Sequence, residues 1–106
     1  LNIYINYPLT PMTYWRRAQI IKYFFGKETI GIELQTEPWG PERWKYISLK
    51  EQAKTMTPER FQETIEFARS TGFSHFYLWG GEWWYWLKEK HNDDSMWKEA
   101  QKLFAP

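Results

Sequence analysis

The chain has 106 residues, enough for one small domain. Its net charge of +1 gives no electrostatic argument for nucleic-acid binding, and the lack of cysteine excludes disulfides and cysteine-based metal sites. Two histidines are too few for a metal motif, so we expect no metal and no other cofactor. No apolar run reaches the roughly 18 residues of a membrane span.

The first part of the chain predicts a strand, a helix and a second strand. Residues 1–7 alternate apolar and polar side chains, which predicts a strand with Asn6 on its polar face. Thr10 and Pro11 are helix-start signals, and together with the apolar spacing they predict a helix over residues 11–25. Residues 29–37 predict the second strand.

The second predicted strand combines an apolar face with a polar one. Side chains alternate along a strand, so Leu34 belongs to the apolar face, whereas Glu33, Gln35 and Glu37 share the other. Burying such a polar face is costly unless the face lines a site. The strand therefore indicates a functional surface that ends at Glu37.

The rest of the chain continues the alternation of strands and helices. A long loop over residues 38–56 is followed by a helix over 58–70, a strand over 73–79 and a helix over 95–104. The stretch at 91–94 (HNDD) lacks the spacing of a calcium loop, so helix capping explains its two acidic residues better.

This order predicts an α/β fold of three consecutive β/α units with parallel strands. Three strands leave both edges of a parallel sheet open, which is unfavourable. We therefore expect the C-terminal portion of a TIM (β/α)₈ barrel, completed by the remainder of the barrel or by self-association. A self-contained three-stranded α/β sandwich is the alternative.

Two carboxylates are candidates for catalysis. Glycoside hydrolysis needs a pair of carboxyl groups within about 5–9.5 Å. Glu33 and Glu37 are separated by roughly 13 Å of strand, which excludes them as the pair. Glu37 and Glu82 end neighbouring predicted strands, so they are the better candidates.

Aromatic side chains make up 21% of the chain, including 8 tryptophans. The four consecutive rings at 83–86 cannot all face one core, so some are expected to meet solvent, a ligand or a partner. An indole offers an apolar face to a sugar ring, while polar side chains bind its hydroxyl groups. The candidate sugar-binding residues are Asn6, Gln35, Trp39, Tyr77, Trp79, Trp83 and Trp84, with core packing as the alternative role for the rings.

Two stretches resemble a known family. Residues 32–39 (IELQTEPW) and 76–84 (FYLWGGEWW) are similar to the last strands of barrel glycoside hydrolases whose nucleophile is a glutamate at the end of the seventh strand. The resemblance is greatest to bacterial cellulase-like proteins. It implies Glu37 as the nucleophile and Trp79 as the tryptophan under the sugar. The Asn-Glu dipeptide that carries the acid/base in that family does not occur here.

These features together predict a glycoside hydrolase that acts on a polysaccharide or oligosaccharide. Because the resemblance covers three β/α units, the isolated chain is expected to be inactive without the rest of a barrel. The alternatives are a non-catalytic carbohydrate-binding fragment and a protein-interaction module that uses the tryptophan-rich surface.

Overall fold

The structure is a computed structural model that describes residues 3–106. Over these residues it contains five α-helices and one two-stranded parallel sheet. In chain order the elements are α1 (Pro11–Phe25), β1 (Gly31–Gln35), a 3₁₀ turn (Trp44–Tyr46), α2 (Leu49–Gln52), α3 (Pro58–Ser70), β2 (Phe76–Trp79), α4 (Gly81–His91) and α5 (Ser95–Phe104).

The prediction of a TIM-barrel portion is wrong. The chain is mixed α/β, but its described residues contain one pair of parallel strands and not three β/α units. The expected first strand is missing from residues 3–7, which form no strand and are exposed. Leu1 and Asn2, the first two residues of that prediction, lie outside the described residues.

The surroundings of residues 3–7 account for the difference. Helix α1, which follows them, lies against α3, where the rings of Tyr14 and Phe67 are 5.8 Å apart. Residues 3–7 contact α2, where the Tyr4 hydroxyl donates to Glu51 at 2.6 Å. Residues 3–7 alternate apolar and polar side chains but therefore have no neighbouring strand to pair with.

Three helices occupy the ranges that the capping signals indicate. Helix α1 begins at Pro11 and is followed by Gly26 in the left-handed region at φ 63°. Helix α3 begins at Pro58, and the Thr57 hydroxyl accepts from the backbone N–H of Arg60 at 3.1 Å. Such caps satisfy backbone groups that the helix itself leaves free.

Helix α4 was not expected from the sequence. Its first residues follow Trp79 after the single residue Gly80, and it buries Trp83, Trp84 and Leu87 on one side. Tyr85 is exposed on the other side. The helical period thus divides the run of four rings between core and surface.

The hydrophobic core lies on one side of the sheet. Helices α3, α4 and α5 contribute most of its buried side chains, together with Met56 just before α3, and β1 and β2 add partly buried leucines. Its buried rings are Phe61, Trp83 and Trp84. The sheet has a covered face and an open face, and the open face carries Tyr77 and Trp79.

A register irregularity in β1 breaks the expected alternation. Gly31 pairs with Phe76 and Leu34 with Leu78, so three steps along β1 match two along β2. This is the geometry of a bulge. As a result Ile32 is exposed while Leu34 contacts the core, although strict alternation placed both on one face.

No helix within residues 3–106 has the length and apolar character needed to cross a bilayer.

Candidate functional site

The carboxylate of Glu37 is held by two tryptophans. Its Oε2 accepts from the indole N–H of Trp44 at 3.1 Å, and its Oε1 accepts from the indole N–H of Trp79 at 3.0 Å. Each oxygen therefore has its own fixed donor, which sets the orientation of the carboxylate. The same two bonds fix the edges of both indole rings.

The backbone beneath Glu37 is fixed by Thr36, which is fully buried. Its N–H and its hydroxyl both donate to the Trp79 carbonyl at 2.8 Å, so the parallel pairing continues past the end of β1. The Trp84 indole donates to the Thr36 carbonyl at 3.0 Å. These bonds place Glu37 at the carboxyl end of the sheet with little freedom.

Trp44 comes from the long loop between β1 and α3, and Gln52 holds it there. The buried amide of Gln52 donates to the carbonyls of Trp44 at 2.7 Å and Ile47 at 3.2 Å, and it accepts from the Trp83 indole at 2.8 Å. One face of Trp44 also packs against Trp86, with ring centroids 4.9 Å apart. The loop is therefore anchored to the core at Trp44 and Ile47.

An open cavity of about 400 Å³ adjoins this carboxylate, and we call it the Glu37 cavity. Its volume lies in the range typical of small-molecule sites. The lining combines two acids, two bases, two indoles and the glycine-rich start of α4. Its members are Glu37, Pro38, Arg43, Trp44, Lys45, Leu78, Trp79, Gly80, Gly81 and Glu82.

The structure brings three of the expected site residues together in this lining, namely Glu37, Glu82 and Trp79. Gln35 is adjacent, but its side-chain amide donates to the Glu37 carbonyl at 3.0 Å and thus supports the backbone. Glu82 lies in the first turn of α4.

The other expected sugar-binding residues lie outside the lining. Trp39 and Tyr77 are exposed, whereas Trp83 and Trp84 are buried in the core. Asn6 is exposed in the segment before α1. These positions separate rings that face solvent from rings that stabilise the fold.

No sequence pattern indicates a functional or structural role for Arg43, Lys45 or Gln52 individually. A local signal does exist for the loop, because Ser48 and Glu51 have the spacing of a capping box. The Ser48 hydroxyl accepts from the Glu51 N–H at 3.1 Å and starts α2, which carries Gln52. The contact between Gln52 and Trp83, 31 positions apart, has no such signal.

Within residues 3–106, no group of three or more histidine, cysteine, aspartate or glutamate side chains is arranged to hold a metal ion. In the acidic stretch before α5, the Asp93 carboxylate accepts from the N–H and hydroxyl of Ser95 at 3.0 and 2.7 Å. Asp93 therefore contributes to the start of α5.

Comparison with known proteins gives no further indication. No protein-family profile, no curated protein and no solved structure matches this chain.

Proposed function

We propose that this chain binds a carbohydrate in the Glu37 cavity. The observation that carries the proposal is the carboxylate of Glu37, fixed between the indoles of Trp44 and Trp79 at the edge of an open cavity. A sugar needs an apolar ring face to stack on and polar groups around its edge. The cavity lining supplies both.

The polar groups of the cavity match the hydroxyl groups of a sugar. Glu37 and Glu82 supply acceptors, while Arg43 and Lys45 supply donors. Trp79 is half exposed, so much of its ring is accessible to a ligand. The resemblance of residues 32–39 and 76–84 to strands of glycoside hydrolases favours the same class of ligand.

Binding is tested by titrating oligosaccharides of glucose, xylose and mannose against the chain and recording tryptophan fluorescence and binding heat. We expect binding to at least one of these series. Trp79→Ala should weaken it at least about tenfold, equivalent to about 1.4 kcal/mol, because the stacking ring is lost. Tyr85→Ala is the matched control, since Tyr85 is an exposed ring outside the cavity.

Two results would contradict the proposal. One is the absence of binding to every oligosaccharide at millimolar concentration. The other is an equal loss of affinity in Trp79→Ala and Tyr85→Ala, which would place the ligand elsewhere.

Hydrolysis of a glycosidic bond is the second candidate, and the presence of both Glu37 and Glu82 in one cavity favours it. The expected sign is release of reducing ends from a bound oligosaccharide. Glu82→Gln should reduce that rate at least about 100-fold with binding retained, because it removes a proton donor or acceptor but keeps the shape.

Glu37→Gln is a less selective change than Glu82→Gln. The amide keeps one acceptor oxygen but turns an NH₂ group toward the second indole N–H, so one donor loses its partner. Such a loss costs about 1–3 kcal/mol and would disturb Trp44 or Trp79 as well as the charge. If the unchanged chain binds sugar but releases no reducing ends, the result favours binding over hydrolysis for this chain.

A further inference from the structure

The second half of α1 and the neighbouring β1 expose an unusual amount of apolar surface. We define the α1–β1 surface by Ile20, Phe24, Phe25, Ile30 and Ile32, whose exposed fractions range from 45% to 72%. Helix α1 has no buried residue at all. We propose that the α1–β1 surface is the site at which a second copy of this chain docks to form a two-fold symmetric dimer.

The accessible area of the chain supports this proposal. A folded monomer of this mass exposes about 6,400 Å² by the usual scaling with mass. The 13.1 kDa chain exposes 8229 Å². The excess of about 1,800 Å² is spread over the whole chain, including the exposed residues 3–7, and it leaves room for the roughly 800 Å² that each partner buries in an interface of standard size.

The shape of the chain points the same way. Its radius of gyration is 15.6 Å, whereas a compact domain of this length has about 13 Å. The extents of 48 × 39 × 19 Å describe a slab. A thin slab with its core on one side of the sheet leaves a broad surface for a partner.

The charge pattern favours a second copy over an acidic or basic partner. Between Ile20 and Ile32 the charged side chains are Lys22, Lys27 and Glu28, a net charge of +1, and the Lys22 ammonium is paired with Glu28 at 2.9 Å. The surface thus offers little net charge for a partner to recognise. An apolar surface is complementary to itself under a two-fold axis, and the net charge of +1 per chain gives little repulsion.

The two parts of the surface fit within one interface. Ile30 follows Phe25 by five residues, so these positions lie within about 17 Å of each other. A circular patch of about 800 Å² has a diameter of roughly 32 Å. Over the described residues β1 pairs with β2 alone, so its outer edge also has backbone groups available to a partner.

The test is the mass of the full chain by sedimentation velocity over a range of concentrations. We expect the chain to sediment at twice its mass and to dissociate on dilution. Phe24→Glu combined with Phe25→Glu should weaken the dimer at least about 30-fold, because charges replace buried aromatic anchors. Phe104→Glu is the matched control, since Phe104 is equally exposed at the end of α5 and should not affect the dimer.

Three outcomes would overturn the proposal: a monomer at every concentration, a dimer that persists in the double variant, or open-ended aggregates without a closed dimer. Circular dichroism reports whether the double variant keeps its helices. If the double variant does not fold, hydrogen exchange on the unchanged chain tests the dimer instead. Protection of the α1 amides must then increase with protein concentration, and equal protection across the dissociation range refutes the dimer.

Discussion

Among single residues, Gly80 makes a close backbone approach to Thr36 beside the Glu37 cavity. A Cβ atom on Gly80 would be 2.7 Å from both the carbonyl oxygen and the hydroxyl of Thr36. Gly80 also has φ 154°, at the edge of the range that favours glycine. This contact brings the start of α4 next to the residue that fixes Glu37.

Gly80→Ala should therefore destabilise the fold by about 1–3 kcal/mol, as expected for an added methyl in a filled space. The free energy of unfolding, measured with urea, checks this. Gly81→Ala is the control, because nothing lies within 4 Å of a Cβ at that position and alanine favours a helix. Equal destabilisation by both substitutions would show that the Thr36 contact is not the cause.

At the scale of elements, α5 is stabilised by side-chain bonds along its exposed face. Lys98 bonds to the Asp94 carboxylate and lowers the pKa of Asp94 below its ordinary 3.8. Lys102 and Gln62 both donate to the Glu99 carboxylate. These bonds, with Lys102 making the larger contribution, lower the pKa of Glu99 below 4.5. Gln62 belongs to α3, so the second group also joins two helices.

These pKa directions predict that α5 loses support in acid. A carboxyl group whose pKa is lower in the folded chain stabilises the fold above its unfolded pKa, and the contribution disappears as the pH falls through the folded pKa. We expect the free energy of unfolding to decrease as the pH falls from 5 through the lowered pKa values of these two groups. The decrease should be small, because both groups are near the surface. Asp94→Asn combined with Glu99→Gln should flatten this pH dependence in urea titrations at several pH values. An unchanged slope in the double variant would contradict the assignment.

The elements also differ in how far the sequence predicts them. Helices α1, α3 and α5 could be found because caps and apolar spacing are encoded within a few neighbouring residues. Helix α4 was missed because Gly80 and Gly81 indicate a turn, although here they join β2 directly to a helix. The strand expected at residues 1–7 has the right alternation, but its described part, residues 3–7, has no neighbouring strand, and alternation alone cannot supply one.

Across the whole molecule, residues 3–7 contribute little to the fold. Residues 3–7 are exposed, and the bond between Tyr4 and Glu51 lies at the surface. Deletion of residues 1–7 should change the free energy of unfolding by less than about 1 kcal/mol. A strand inside a sheet would have made this deletion severely destabilising.

The matched comparison is the deletion of residues 95–106, which removes α5. Met96 and Ala100 are buried in the core, so we expect this deletion to abolish cooperative unfolding. Both deletions are compared by urea denaturation at one protein concentration, since association would shift the apparent stability. A large decrease in the free energy of unfolding after the first deletion would contradict the exposed position of residues 3–7.

Helices α1, α3 and α5 can be predicted from the sequence alone, as can Trp79 at a strand end and Glu37 just beyond one, because these features depend on neighbours along the chain. The number of strands, the burial of Trp83 and Trp84, and the contact of Trp44 with Glu37 are visible only in the folded chain. Each of these depends on contacts between residues far apart in sequence, such as the bonds of Thr36 to Trp79 and Trp84. A local pattern can state that a side chain needs a partner, but the packed chain determines which partner lies within reach.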